Sequence, residues 1–366
     1  MLHLQKIMSM EQIYFAGDGS GQSRLSGLLE GEREVLAVMD RNVAPCFAGC
    51  LTALGVRTML FEATEERKSL EGLQEIVAWL LEQEADRGAL LLGIGGGITT
   101  DITGLAASVY KRGVRYALVP TTLLAQVDAS VGGKTGVNFH NYKNVLGTFG
   151  TPEWVCMDSG VLSTLPEREL RSGMAEALKT FVIGDAAMFR ETVRICAGAG
   201  ALWPGTVLPW IRRVVRRCVD IKSGIVDADR TEKGERMKLN LGHTLGHAIE
   251  SLCMEAGAPV SHGEAVAAGI MAAAGVSVRK GILSEDIADE LYVSFKLLGY
   301  SNLKTLLESR AGLCRGDAVL KLTDFVLNDK KRKEDFINFV LVRDLGSVMV
   351  CELSVREIQE VVNDLY

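Results

Sequence analysis

At 366 residues, 48% apolar and 23% charged, the chain has the length for two hydrophobic cores and a globular rather than disordered or fibrous composition. A formal net charge of −6 argues against general nucleic-acid affinity, and no apolar run approaches the roughly 18 residues of a membrane span. The opening MLHLQKIMSMEQIYF lacks the regions of a secretory signal, and the eight cysteines are scattered singly apart from Cys46 and Cys50, whose CxxxC spacing has no answering pair; a reducing cytoplasm fits.

Up to residue 165, short β-rich runs alternate with helical ones. Strands are predicted at VLAVMD (35–40), RTMLFE (57–62), ALLLGI (89–94), RYALVP (115–120) and WVCMD (154–158). Several are apolar on both faces, the pattern of a parallel sheet covered on both sides. After Leu165-Pro166 helical periodicities dominate, as in PERELRSGMAEALKTFVIG, TVLPWIRRVVRRCVDIKSGIV and GEAVAAGIMAAAGVSVRK, and strand-like text returns only in FINFVLVR. The expected architecture is an α/β N-terminal dinucleotide-binding domain with a mainly parallel sheet (1–165) and a mostly α-helical C-terminal metal-binding domain (166–366), with the site in a cleft between them. In IRRVVRRCVDIK, Arg212, Arg213, Arg216 and Arg217 repeat at helical spacing and read as a solvated helix face, with a polyanion patch as the alternative.

The predicted strand ALLLGI runs into GGGITTDITGLAA. Gly95, Gly96 and Gly97 would let the backbone approach a phosphate, and the following helix would aim its N–H groups at it. The order strand, glycines, helix suits a dinucleotide site, although the spacing is not GxGxxG and a tight turn explains three glycines equally well. Asp40, ending the first predicted strand, stands where a ribose-binding acid often does. Glu65 and Lys68, in EERKS, read as a solvated helix start.

Three of the five histidines, His243, His247 and His262, fall within twenty residues, in LNLGHTLGHAIE and VSHGEA. Imidazole is a common transition-metal ligand, and Glu176 of SGMAEALK is a natural completing donor, so a catalytic metal centre is expected. The alternative is two histidines sharing a helix face inside a core. Cations also collect among small residues: Lys134 with Asp128 and Asn138 in QVDASVGGKTGVN, Lys143 with Asn144, Lys179 one turn after Glu176, then Lys222, Arg236 near Asn240, and Lys330 and Lys331. Such a set could answer a phosphate and a carboxylate on one small substrate. Residue chemistry alone therefore proposes a metal, a dinucleotide and an anionic substrate, as in a metal-dependent polyol dehydrogenase.

At these residues the chain resembles 3-dehydroquinate synthases, of the sugar-phosphate cyclase group. The resemblance runs from about Asp40 to Gly346 and is carried by PTTLLAQVDASVGGKTGVN, TLPERELRSGMAEALK and LNLGHTLGHAIE. It implies zinc or cobalt ligands at Glu176, His243 and His262, with His247 on the substrate side. It implies NAD+ contacts at Asp40, Asn42, Glu65, Lys68, Gly96, Gly97, Asp101, Thr121, Thr122, Lys134, Lys143, Val161, Thr164 and Leu165. Substrate and catalytic positions would be Asp128, Lys134, Asn144, Lys179, Lys222, Glu232, Arg236, Asn240 and His247, with Lys330 or Lys331 closing over the substrate. Arg112 would reach the partner subunit's site, which implies a homodimer. The implied reaction converts 3-deoxy-D-arabino-heptulosonate 7-phosphate to 3-dehydroquinate and phosphate, by transient NAD-dependent oxidation, β-elimination, reduction and intramolecular aldol closure. Two departures stand out: Thr100 replaces the usual glycine before the loop aspartate, and ATEERKS lacks the usual glycine before its glutamate. The rivals are another sugar-phosphate cyclase, a polyol dehydrogenase of related fold, and a non-catalytic relative, which would be expected to have lost a ligand or a cation.

Overall fold

Apolar runs bounded by charged or turn residues become strands, and the chain gathers into two compact units. These are Met1–Pro166 with Leu208–Ser223, and Glu167–Val207 with Gly224–Tyr366. The computed structural model describes residues 12–16, 21–140, 142–198, 204–327, 332–333 and 336–364. Lys330 and Lys331 lie outside the described residues.

The first unit contains β1 (Ile13–Phe15), α1 (Gly21–Leu29), β2 (Val35–Asp40), α2 (Ala44–Ala53), β3 (Arg57–Phe61), α3 (Leu70–Glu82), β4 (Leu90–Gly95), α4 (Gly97–Val109), β5 (Arg115–Pro120), β6 (Lys134–Phe139), β7 (Tyr142–Phe149) and β8 (Val155–Met157). Six strands form one sheet in the order β1-β8-β5-β4-β2-β3, and every pairing in it is parallel. β4, LLLGIG, is buried at every residue, as a strand with neighbours on both edges and helices on both faces must be. Ala37, Met39, Leu90, Leu92 and Ile94 pack against Leu25 and Leu29 of α1 and Phe47 and Leu51 of α2. The strands expected at 35–40 and 115–120 form over those residues, and the others shift or shorten by one or two.

Three strands were not expected from the sequence in this unit. β1 has only three residues, too few for a periodicity to register. β6 and β7 pair antiparallel as a hairpin, in a string that intersperses glycine, lysine and asparagine among its apolar residues. Glycine is required there at Gly147, where a Cβ would lie 2.1 Å from the Thr135 carbonyl oxygen.

The second unit contains α5 (Glu167–Gly184), α6 (Ala186–Gly198), both ends of α7 (Pro204–Ala228, whose Leu208–Ser223 belongs to the first unit), α8 (His243–Glu255), α9 (His262–Arg279), α10 (Glu285–Leu297), α11 (Leu303–Ser309), α12 (Arg315–Leu327), β9 (Arg332–Lys333), β10 (Phe336–Asp344), β11 (Ser347–Ser354) and α13 (Val355–Asp364). α9, HGEAVAAGIMAAAGVSVR, is buried nearly all round, and its small side chains let α5, α8 and α10 approach closely. It begins at a capping box: Ser261 Oγ accepts from the Glu264 N–H, and the Glu264 carboxylate accepts from the Ser261 N–H at 2.8 Å. β10 is the strand expected in FINFVLVR. β11 pairs antiparallel with it after a turn at Gly346 (φ 81°), although its burial alternates too weakly to be read from sequence.

The arginines of α7 depart from a simple solvated face. Arg213 and Arg216 are exposed, but Arg216 lies over the Phe15 ring at 4.5 Å, and Arg212 Nε donates to Ser159 Oγ at 3.0 Å. No helix among the described residues is long and apolar enough to cross a membrane.

Candidate metal centre and nucleotide site

In the first unit the strand order reverses between β2 and β4: β3 lies outside β2, while β5 and β8 follow on the far side of β4. In open parallel sheets, ligands bind at the carboxyl ends of the strands flanking such a reversal. Asp40 ends β2 and Gly95 ends β4, so both fall at this point. A Cβ at Gly95 would lie 2.4 Å from Thr99 Oγ1 and 3.0 Å from the Asp40 Cβ; one at Gly96 would lie 2.9 Å from Thr122 Cγ2. The turn therefore has room for backbone only. Gly96 caps α4 and Gly97 begins it, so the unpaired N–H groups of the first helical turn are presented here. The Thr121 N–H donates to the Gly95 carbonyl at 2.8 Å and ties the ends of β4 and β5 together. Asp40 Oδ1 accepts from the Asn42 N–H at 2.9 Å; burial raises its carboxyl above the ordinary value, and this bond opposes the rise.

A polar cluster links the β3–α3 connection to α4 and the hairpin. Buried Lys68 donates to Asp101 Oδ2 and to Asn144 Oδ1, each at 2.6 Å. Burial raises the Asp101 carboxyl, and the Lys68 ammonium works against that. Glu65 Oε1 accepts from Asn138 Nδ2 at 2.8 Å and faces Lys143 Nζ at 3.6 Å. The Asn144 N–H donates to Asn138 Oδ1 at 2.9 Å, in a left-handed conformation at Asn144 (φ 53°). So Glu65 and Lys68 are engaged rather than solvated. Lys222 Nζ donates to both the carbonyl and the Oδ1 of Asp128, each at 2.6 Å. Lys134 is exposed at the start of β6. Val161, Thr164 and Leu165 lie in and just after a 3-10 turn following β8, where Thr164 Oγ1 donates to the Val161 carbonyl at 3.0 Å. Arg112 is exposed in the tight turn after α4, where Lys111 (φ 47°) and Arg112 (φ 66°) are both left-handed.

In the second unit, Glu176 of α5, His243 of α8 and His262 of α9 each turn one ligand atom to a common point, with these atoms within 4.8 Å of one another. His243 Nε2 and His262 Nε2 lie 3.6 and 3.4 Å from Glu176 Oε1. The opposite ring nitrogens are occupied: His243 Nδ1 sits 3.2 Å from the Leu241 carbonyl and His262 Nδ1 3.5 Å from Glu250 Oε2. Acceptors at Nδ1 favour the tautomer that leaves the Nε2 lone pair for a cation. Burial and the Lys179 ammonium hold His243 well below its ordinary value, so it stays neutral. Burial would raise the Glu176 carboxyl, but Lys179, 2.5 Å away, and His262 bring it down to about 2. Burial also works against charge on His262, yet Glu176 and Glu250 outweigh it and push it up to about 10. Two carboxylates thus favour a positive charge between α5 and α9, and a carboxylate with two imidazoles is a donor set suited to zinc or cobalt. His247, exposed on α8, has its ring 5.3 Å from that of His243 and does not join the converging set.

The segment before α8 carries the remaining predicted residues. Asp229 accepts from the N–H groups of Lys233, Gly234 and Arg236 at 3.2, 2.7 and 3.1 Å. This folds the chain so that Glu232, left-handed at φ 58°, accepts from Asn240 Nδ2 at 2.7 Å. Arg236 is buried, with Nη1 donating to the Arg230 carbonyl at 3.0 Å. Asp229 and Glu250 were missed in the sequence. The i+7 spacing of Glu250 from His243 was an available signal; Asp229 offered none beyond a helix-ending acid before a glycine turn.

Residues 58–172 match the family described as 3-dehydroquinate synthase N-terminal, and residues 173–332 the one described as 3-dehydroquinate synthase C-terminal. A 3-dehydroquinate synthase of Acidithiobacillus ferrooxidans is 39% identical over 322 residues, covering 86% of this chain and 84% of that one. The chain belongs to the 3-dehydroquinate synthase family. Among solved structures, a 2-epi-5-epi-valiolone synthase from Streptomyces hygroscopicus, with NAD+ and Zn2+ bound, superposes with a TM-score of 0.80 at 27% identity, covering 100% of this chain and 99% of that one. A 2-deoxy-scyllo-inosose synthase complexed with carbaglucose-6-phosphate, NAD+ and Co2+ shares the fold at TM-score 0.80 and 23% identity, covering 96% of each chain.

Proposed function

We propose that the chain converts 3-deoxy-D-arabino-heptulosonate 7-phosphate to 3-dehydroquinate and phosphate, with NAD+ and a divalent cation, Zn2+ or Co2+, as cofactors. One observation carries the reading: Glu176, His243 and His262 converge in a chain that 3-dehydroquinate synthases match along most of its length. When bound, NAD+ accepts and returns a hydride while the cation acidifies the substrate hydroxyls beside it.

The chain's own residues supply the rest. Glu176, His243 and His262 hold the cation, and Lys179 keeps Glu176 ionised. Asp40 and Asn42 take the ribose, Gly96 and Gly97 the pyrophosphate, and Glu65, Lys68, Asp101, Thr121, Thr122, Lys143, Val161, Thr164 and Leu165 complete the nucleotide contacts. Lys222 and Arg236 receive the substrate carboxylate, with Arg236 able to make a bidentate pair. Asp128 orients Lys222, and Glu232 orients Asn240. Lys134, Asn144, His247 and either Lys330 or Lys331 take the phosphate. A cytoplasmic homodimer sharing Arg112, with domains at 1–165 and 166–366, belongs to the same reading. The likeness to the valiolone synthase favours, as second reading, a cyclase acting on another sugar phosphate.

The test incubates the protein with the heptulosonate phosphate and catalytic NAD+, with and without chelator. Phosphate and 3-dehydroquinate should appear in equal amounts, without net NADH, and neither with chelator. Phosphate release without 3-dehydroquinate, or no turnover, would overturn the reading.

A further inference from the structure

We propose that Glu250 is a positioning residue of the metal centre, accepting the Nδ1–H of His262 so that Nε2 faces the cation as a lone-pair donor. The inference rests on the metal-site reading above. Glu250 lies on α8 seven residues after His243, hence on the same helix face two turns along. It is buried, with Oε2 3.5 Å from His262 Nδ1, while Nε2 on the other side of that ring is 3.4 Å from Glu176 Oε1. An imidazole that gives its Nε2 lone pair to a cation keeps a single N–H, at Nδ1, and that is the nitrogen the Glu250 carboxylate faces. His243 is oriented by a backbone carbonyl, that of Leu241, so Glu250 is the charged member of the two orienting groups. Charge explains its place as well: a buried carboxylate is costly without a facing cation, and Glu250 stands one imidazole away from the converging ligand atoms. It adds a negative charge that reaches the ion through His262 without occupying a coordination position.

The test titrates metal-stripped wild type, Glu250→Gln, Glu250→Ala and a control, Glu255→Gln at the exposed end of the same helix, with Zn2+ against a chromophoric chelator. Circular dichroism establishes that each variant is folded, and Co2+ d–d spectra are recorded. Glu250→Gln is nearly isosteric and decides the matter if the alanine variant does not fold. It should bind Zn2+ at least about fivefold more weakly, Glu250→Ala about 10–100-fold more weakly, and both should shift the Co2+ bands, while Glu255→Gln matches wild type. A folded Glu250→Gln with wild-type affinity and an unchanged Co2+ spectrum would overturn the proposal. Failure of wild type itself to bind either metal would instead sink the metal-site reading.

Discussion

Alanine at Gly269 and alanine at Gly49 are the same chemical change with opposite expected signs. Gly269 lies in α9 against the start of α8, where an added Cβ would sit 2.0 Å from the Gly242 carbonyl oxygen and 2.8 Å from its carbon. A carbon–oxygen contact needs about 3.2 Å or more, so the helices must part by roughly 1 Å. The same oxygen accepts the first helical bond of α8, from the Gly246 N–H at 2.9 Å, and the next residue is His243. Gly242 cannot readily yield, because it is left-handed (φ 77°) and itself packs against Val266 and Ile270. Overpacking of this kind costs about 1–3 kcal/mol, about 2–12 °C in Tm for a domain of 150–250 residues. Displacing His243 by a comparable distance should also weaken Zn2+ binding at least about tenfold. Gly49 is exposed in the middle of α2 and a Cβ there meets nothing within 4 Å, so Gly49→Ala should stabilise by about 0.5–1 kcal/mol. Thermal melts of the metal-stripped proteins and chelator competition measure both effects. If Gly269→Ala keeps wild-type Tm and Zn2+ affinity, the close approach of α8 and α9 is not what sets the histidine.

Asp229→Asn removes the charge that gathers three N–H groups ahead of Arg236, and should raise KM for the sugar phosphate about tenfold with a smaller change in kcat and unchanged NAD+ affinity. A matching loss of NAD+ affinity would show general disruption instead. Arg236→Met should lower kcat/KM by about a hundredfold or more, whereas Arg213→Met, an exposed arginine over Trp210, should cost less than about threefold; equal effects would refute the carboxylate role. At the C-terminal helix, bonds from Lys280 and Ser354 hold the Glu357 carboxyl down at about 2 against an ordinary 4.5. Its folded value is depressed, so its contribution is full above pH 4.5 and is lost as pH falls toward 2. Glu357→Gln should therefore melt lower than wild type at pH 7, by about 1 kcal/mol or less at so exposed a position, and the gap should close near pH 2. A gap independent of pH would point to packing, not charge.

The sheet was legible where burial imposed a pattern. β2, β4 and β5 are apolar on both faces because each lies inside the sheet, where helices cover both faces, and such runs announce themselves in a sequence. β1 and β11 lie at sheet edges, where fewer neighbours demand apolar residues, and the hairpin of β6 and β7 exposes Phe139, Tyr142 and Phe149 while burying Gly136 beside Val137, so large apolar residues do not mark its inner face.

The site divides along the same line between what a residue is and where another residue stands. His243, His262 and Glu176 could be singled out because imidazole and carboxylate have few other uses among glycines and alanines. Their partners could not. Glu250 matters because α8 and α9 cross closely enough to bring it to His262, and that crossing is set by Gly242 and Gly269, which a sequence shows only as two glycines among 39. Asp229 matters because a left-handed turn at Glu232 brings three N–H groups back onto it. Lys68, a plain surface lysine by its neighbours in the chain, is buried because Asp101 and Asn144 come to it from a helix and a hairpin far along the sequence. Donor chemistry is a property of the residue, whereas tautomer, charge balance and loop shape belong to contacts made only on folding. Substitutions at the glycine contact and at Glu250 should therefore alter metal affinity while every ligand remains in place.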